Sequence, residues 1–194
     1  YDAGVFNGRH RTSEFVQTTT DINDFKAGLL QLAVSPHALE GFKVGTNMYV
    51  DKIPNDPSLA GAPVRATSEI NEWIFGGFAS YFRGATELIG EYYYIDHQDV
   101  GQQPEQDLIS HGGYLQASYK LNKYTPYYRV DLINAAAADL FFGNRAFDRH
   151  RHTVGLRWDM TTWNALKFEY SHYELRERGR DDEDIVNVRS QFTF

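Results

Sequence analysis

The chain contains no cysteine among its 194 residues, so neither disulfides nor thiolate metal sites can form. Basic residues are in the minority, with 19 Lys and Arg against 26 Asp and Glu. The net charge of −7 disfavours nucleic acid as a partner. No segment approaches the roughly 20 consecutive apolar residues that a membrane-spanning helix needs. A β-rich protein fits these absences, including one in a membrane, because membrane strands require only alternating apolar residues.

Aromatic residues are abundant, with 13 Tyr, 13 Phe and 3 Trp against only 2 Met. Aromatic side chains favour strands, and membrane β-barrels concentrate them at the lipid–water interfaces. Residues 186–194 show a period of two, which places apolar and polar side chains on opposite faces of a strand. The apolar positions of this predicted strand are Val186, Val188, Phe192 and Phe194.

The same period recurs along the chain and predicts about ten strands. They lie near 1–7, 25–34, 40–51, 70–82, 86–96, 111–121, 124–134, 151–161, 165–176 and 186–194. Short connections near 35–38, 83–85, 122–123 and 161–164 alternate with longer polar ones near 8–24, 52–69, 97–110, 135–150 and 177–185. This alternation is typical of outer-membrane barrels.

The pattern gives each strand one polar face, which needs water, and one apolar face, which needs lipid or a second sheet. The predicted fold is therefore all-β, a transmembrane antiparallel up-and-down β-barrel, because closure removes the sheet edges that lipid does not tolerate. The alternative is a soluble sandwich of two sheets whose apolar faces pack together.

Four segments and the terminal Phe194 resemble outer-membrane porins of the family that includes the phosphate-selective (porin O/P-like) porins. The segments are 1–8 (YDAGVFNG), 87–94 (ELIGEYYY), 125–129 (TPYYR) and 165–170 (ALKFEY). Members of that family are usually longer, with about 16 strands. The resemblance implies that residues 1–194 form one barrel domain that lacks N-terminal strands. The chain opens as a strand without a secretory signal, so we expect a mature or truncated sequence.

The resemblance also implies a function: passive diffusion of small hydrophilic solutes or ions through a water-filled channel, with no cofactor and no catalytic residues. The location would be the bacterial outer membrane, with the C-terminus in the periplasm. Expected partners are membrane lipid, lipopolysaccharide, the barrel-assembly machinery and two further copies in a homotrimer. Phe192 and Phe194 would form the signal that the assembly machinery recognises.

Charged residues on the polar face are the candidate pore lining, where they would set ion preference. They are Lys43, Glu87, Glu91, Lys120, Arg129, Asp131, Arg157, Asp159, Lys167, Glu169 and Arg189. Basic and acidic members are nearly balanced, so the set does not predict phosphate selectivity. The alternative is a structural role, with cross-strand ion pairs such as Arg129 with Asp159.

A histidine cluster at 148–152 lies near Asp96, His97 and His111, which are predicted on a neighbouring long loop. His150 and His152 would share a face and could hold a metal with a carboxylate. A solvated rim is the ordinary interpretation, and we expect no metal.

The acidic run 181–184, flanked by Arg176, Arg178 and Arg180, is typical of a solvated loop tip. It could also bind the divalent cations that bridge lipopolysaccharide.

Two other functions are alternatives to a porin. A narrow barrel could act as a scaffold or sheath for a partner. An outer-membrane hydrolase would need acidic and His side chains gathered on the rim, which Asp96, His97, Asp148 and His150 could supply, although their spacing does not match a protease. Ser110 and His111 are adjacent and would point to opposite faces. We therefore expect no enzyme.

Overall fold

The computed structural model describes residues 1–7, 25–54, 69–100, 107–136, 138–139, 141, 148–175 and 181–192. Every regular element in these ranges is a β-strand, and they include no helix long and apolar enough to cross a membrane. The strands are β1 (Asp2–Phe6), β2 (Ala27–Val34), β3 (Phe42–Ile53), β4 (Glu69–Arg83), β5 (Thr86–Val100), β6 (Asp107–Tyr119), β7 (Tyr124–Asn134), β8 (Arg149–Asp159), β9 (Asn164–Leu175) and β10 (Glu183–Phe192).

All ten strands form one antiparallel sheet in which each strand pairs with its neighbour in sequence. This order confirms the predicted all-β, up-and-down topology. The described strands do not divide into the two sheets of a sandwich. The sheet is not closed either: β1 and β10 are its edges and do not pair with each other.

The positions of the strands agree with the predictions, but one connection was wrong. The predicted long loop at 97–110 shrinks to 101–106, because β5 extends to Val100 and β6 begins at Asp107. Gln98 pairs with Asp107, which continues the hairpin beyond its predicted end. Asp96, His97 and His111 are therefore strand residues. The sorting of connections by length is also weaker than predicted, since residues 35–41 connect β2 to β3 and are as many as residues 176–182 between β9 and β10.

A two-residue turn joins β4 to β5 through Gly84 and Ala85, directly after the Arg83–Thr86 pair. Gly84 has φ of 62°, and Asn122 in the turn between β6 and β7 has φ of 56°. Two-residue hairpin turns require this left-handed conformation, which Gly and Asn adopt with the least strain. These turns fix the register on either side and therefore the face to which each side chain points.

The two faces of the sheet differ in the burial of their side chains. In a water-soluble sheet the apolar face is buried and the polar face is exposed, whereas here the buried side chains lie on the polar face. We call the face that carries Lys43, Asn47 and Asp51 of β3, with their paired residues, the polar face, and the other the apolar face. All buried strand residues except glycine lie on the polar face: Ala27, Tyr49, Asp51, Ile53, Ile70, Glu72, His97, Asp99, Leu108, Ser110, Ser118, Tyr127, Thr153, Ala165 and Ser171. The side chains of the apolar face are half-buried or exposed along β2 to β10.

Candidate functional site

The strand registers bring the predicted pore-lining residues to one face. Ten of them, from Lys43 on β3 to Arg189 on β10, lie on the polar face. Lys120 directly follows β6, and its Nζ lies 4.0 Å from Asp159. Whether this face lines a pore stays a prediction, but the alternation that selected these residues places them together.

One predicted ion pair was wrong. Arg129 does not contact Asp159; its Nη2 lies 2.6 Å from Asp131 on the same strand. Asp131 also accepts a hydrogen bond from Arg151 Nε at 3.0 Å. In the register, Arg129 faces Thr153 of β8, six residues from Asp159, which is on the order of 20 Å along a strand.

A second network joins β7, β9 and β10 around Glu169. Tyr127 Oη donates to Glu169 Oε1 at 2.6 Å, and Lys167 Nζ lies 3.1 Å from the same oxygen. Arg189 Nε is 3.7 Å from Oε2. Lys167 Nζ also sits 4.8 Å from the centre of the Tyr127 ring. The structural-pairing role considered for these charges is therefore present in the fold.

The polar-face charges are segregated, although their total is nearly balanced. Strands β3 to β5 carry the carboxylates Asp51, Glu72, Glu87, Glu91 and Asp99, with Lys43 and His97. Strands β7 to β10 carry the cations Arg129, Arg149, Arg151, Arg157, Lys167 and Arg189, with Asp131, Asp159, Glu169 and Glu183. Arg149 and Arg151 are not among the predicted pore-lining residues, although strand alternation predicts that Arg151 shares a face with Thr153.

A buried ionic bridge lies at the end of the polar face near the long connections. His97 Nδ1 is 2.6 Å from Asp139 Oδ2, and its Nε2 is 2.7 Å from Glu72 Oε1. All three residues are at most 2% exposed. The sequence predicts His97 on a loop and gives no signal that selects Glu72 or Asp139. No spacing signal links the three, because they come from β4, β5 and the connection after β7.

The bridge changes the protonation of His97. His97 lies three residue pairs beyond the Tyr94–His111 pair, towards the long connections. Burial alone lowers the pKa of this imidazole, but the hydrogen bonds to Asp139 and Glu72 outweigh burial and raise the pKa to about 9. His97 is therefore an imidazolium at neutral pH.

The apolar face carries two rows of aromatic residues. Tyr124 stacks on Trp158, and Trp163 stacks on Phe192, at the end with the short turns. Nearer the middle of the strands, Tyr92 Oη and His111 Nδ1 are 2.8 Å apart, and Tyr128 Oη and His152 Nδ1 are 2.7 Å apart. Between these rows lie Val44, Leu88, Leu115, Val154, Leu156, Phe168, Val186 and Val188.

The histidine cluster lies on β8 rather than on a loop rim. His150 and His152 share the apolar face, as the spacing predicts. Asp148 accepts hydrogen bonds from the Ala135 backbone N–H and from Asn134, so it closes the base of the connection between β7 and β8. Within the described ranges, no group of three or more His, Asp or Glu residues could hold a metal.

The acidic run is only partly a loop tip, because Glu183 and Asp184 belong to β10. Asp184 accepts hydrogen bonds from Tyr170 Oη at 2.7 Å and from His172 Nδ1 at 2.8 Å. Asp182 accepts one from the Leu175 backbone N–H. The flanking Arg176, Arg178 and Arg180, like Phe194 at the chain end, lie outside the described residues.

The candidate hydrolase residues are divided between the two faces. His97 lies on the polar face, whereas Asp96 and His150 lie on the apolar face. Ser110 is buried on the polar face, whereas His111 contacts Tyr92 on the apolar face.

No family model matches this chain, and neither a curated protein nor a solved structure resembles it significantly.

Proposed function

We propose that this sheet is the wall of an outer-membrane β-barrel porin, with its apolar face against lipid and its polar face lining a water-filled channel. The observation that carries the proposal is the inverted burial. Leu115, Val154 and Val186 are 63%, 59% and 75% exposed on the apolar face, while the buried strand residues lie on the other. An apolar surface that extends over so many strands is far larger than soluble monomers expose.

The aromatic rows support a membrane position. Tyr and Trp concentrate where acyl chains meet headgroups, because their rings are apolar and their polar groups need a partner. The two rows lie on either side of a band of Val, Leu and Phe side chains. On β10, the band runs from Asp184 to Phe192, about 26 Å along the strand. With the tilt of about 35–45° that such strands have, this length covers about 18–21 Å along the bilayer normal, which is most of the apolar band of about 25 Å.

A sheet in lipid must also pair its edges, because unpaired backbone groups cannot be solvated there. The proposed barrel therefore requires β1 and β10 to pair with each other or with further strands. The porin resemblance favours further strands and a homotrimer. We propose that the C-terminus lies in the periplasm, where Phe192 and Phe194 would meet the assembly machinery.

The polar face supports diffusion rather than catalysis. Its charged side chains pair with one another, and the candidate catalytic residues are divided between the two faces. We propose no cofactor and no reaction. The face has an acidic side on β3 to β5 and a basic side on β7 to β10, so both cations and anions would find favourable positions in the channel.

Planar-bilayer recording of the full chain, refolded from detergent, tests this function. We expect discrete current steps with weak selectivity between potassium and chloride, since the charges of the lining nearly balance. A protein that inserts with folded β-structure and carries no current would contradict the porin proposal and favour the narrow scaffold barrel.

A further inference from the structure

The connection between β7 and β8 starts by folding over the polar face of the sheet. Its described residues Ala135, Ala136, Ala138, Asp139 and Phe141 form what we call the latch segment. The backbone N–H of Ala136 donates to Ser110 Oγ on β6 at 3.0 Å. Asp139 reaches His97 on β5, which is two strands from β7 in the sheet order. The latch segment therefore lies across β6 and ends against β5.

The contacts of Asp139 combine charge with packing. Its Oδ2 meets His97 Nδ1, while its Oδ1 accepts the Phe141 backbone N–H at 2.9 Å. The Phe141 ring packs edge-on against the His97 imidazole, with centroids 5.0 Å apart. One carboxylate thus organises the latch segment and joins it to the sheet.

The geometry fits a charged His97. Each ring nitrogen faces a carboxylate oxygen, Asp139 on one side and Glu72 on the other. Imidazolium donates from both nitrogens, but neutral imidazole has one N–H and would turn a lone pair towards the second carboxylate. A buried carboxylate that loses its donor is strongly destabilised.

Other acidic groups on the same face increase this dependence on charge. Asp51 of β3 is in register with Glu72, and Asp99 follows on β5; both are buried. Tyr49 donates to Asp51 Oδ2 at 2.9 Å. On β6, the polar side chain of this face nearest to His97 in the register is Ser110. Deprotonation of His97 would remove the positive charge that offsets these buried carboxylates.

We propose that Glu72, His97 and Asp139 form a charge-dependent lock that holds the latch segment on the polar face and releases it at alkaline pH. The pKa of His97 in the folded protein is about 9, above its ordinary value of 6.5. The stabilisation is therefore complete below about pH 6.5, declines as pH rises, and is lost above about pH 9. If the polar face lines the proposed pore, release changes the lining at the long-connection end; the lock itself does not depend on that function.

A single cysteine in this cysteine-free chain can report the position of the latch segment. Ser110 is 3% exposed and contacts the segment, so Ser110→Cys places a thiol beneath it. The probe is the rate of N-ethylmaleimide labelling on the refolded full chain in detergent micelles. Ala138→Cys, at an exposed position of the same segment, corrects for the pH dependence of thiolate reactivity.

At pH 7 we expect the thiol of Ser110→Cys to react at least about tenfold more slowly than the thiol of Ala138→Cys, because labelling requires local opening. Adding His97→Gln should bring the two rates together. His111→Gln is the matched control, since His111 lies on the other face with Tyr92, and it should leave the thiol of Ser110→Cys protected. Protection that persists in His97→Gln would overturn the lock.

A pH series on the chain with His97 intact covers the case in which His97→Gln does not fold. The labelling rate of Ser110→Cys divided by that of Ala138→Cys should rise between pH 8 and pH 10 and fall back when the pH is lowered. A ratio that stays constant across this range, while the protein keeps its β-structure, would also overturn the proposal. Neither measurement requires current, so a failure of the lock is distinguishable from a failure of the porin function.

Discussion

Glu72 and His97 on the polar face are 1% and 0% exposed, whereas Leu115 and Val188 on the apolar face are 63% and 62% exposed. The polar face satisfies its own groups, for example by the Thr153–Ser171 hydrogen bond at 2.8 Å and the Tyr127–Glu169 bond at 2.6 Å. On the apolar face, no strand side chain is buried within the described ranges. This distribution of burial is what the proposed porin requires, with lipid against the apolar face and water along the polar face.

The largest test of this comparison places the same charge on neighbouring residues of β10. Val188→Arg should destabilise the protein in lipid by about 2–4 kcal/mol if the residue sits near the bilayer midplane. Asn187→Arg points to the polar face, where Glu169 lies opposite, and should have a much smaller effect. Urea unfolding in lipid vesicles measures both.

Equal destabilisation by the two substitutions would show that the faces are wrongly assigned. Thr153 is unsuitable as a polar-face control, although alternation alone selects it, because it is buried and hydrogen-bonded to Ser171.

A smaller effect should distinguish two glycines on opposite faces. A Cβ at Gly155 would overlap the Tyr127 ring, which is packed on the polar face. Gly155→Ala should therefore destabilise the protein by about 1–3 kcal/mol through overpacking. Gly77 lies on the apolar face, where the nearest atom to a new Cβ is 4.0 Å away.

Gly77→Ala should be neutral or stabilise the protein by up to about 1 kcal/mol, since alanine has less conformational freedom to lose. The measurement is again unfolding in lipid vesicles. If Gly77→Ala were the more harmful of the two, the apolar face would have to be tightly packed against another surface.

Ion pairs on the polar face should differ according to burial. Asp131 holds both Arg129 and Arg151, and its side chain is 16% exposed. Asp131→Asn should destabilise the protein by about 1–3 kcal/mol, because the two arginines lose their negatively charged partner and one of its two acceptor oxygens. Asp159 pairs with the more exposed Arg157, so Asp159→Asn should change stability by less than about 1 kcal/mol. Equal decreases in the free energy of unfolding for the two substitutions would mean that the network around Asp131 contributes no more to stability than the exposed Arg157–Asp159 pair.

The weakest effect concerns ion preference and tests the two sides of the polar face. Glu91→Gln on the acidic side should shift the reversal potential in a potassium chloride gradient towards anions, and Arg189→Gln on the basic side should shift it towards cations. If neither shift occurs while the channel still conducts, these side chains do not face the ion path.

The sequence predicted the strands and their faces because both depend on local alternation. Val186, Val188 and Phe192 share a face by period two alone. Partners within the polar face were less predictable. Arg129 was paired with Asp159 because the register of β7 on β8 was unknown, and the structure shows Asp131 instead.

The Glu72–His97–Asp139 bridge was not predictable, because Asp139 reaches β5 only through the path of the connection after β7. Closure of the sheet is likewise not expressed in any single strand. It depends on what pairs with the edges of β1 and β10.

A nitroxide scan of β10 in lipid vesicles tests the central claim most directly. Spin labels at Val186, Asn187, Val188 and Arg189 report collisions with oxygen, which dissolves in acyl chains, and with a water-soluble nickel chelate. We predict that oxygen accessibility is high at Val186 and Val188 and that nickel accessibility is high at Asn187 and Arg189. Accessibility that does not alternate, or that alternates with the opposite phase, would contradict a lipid-facing apolar face.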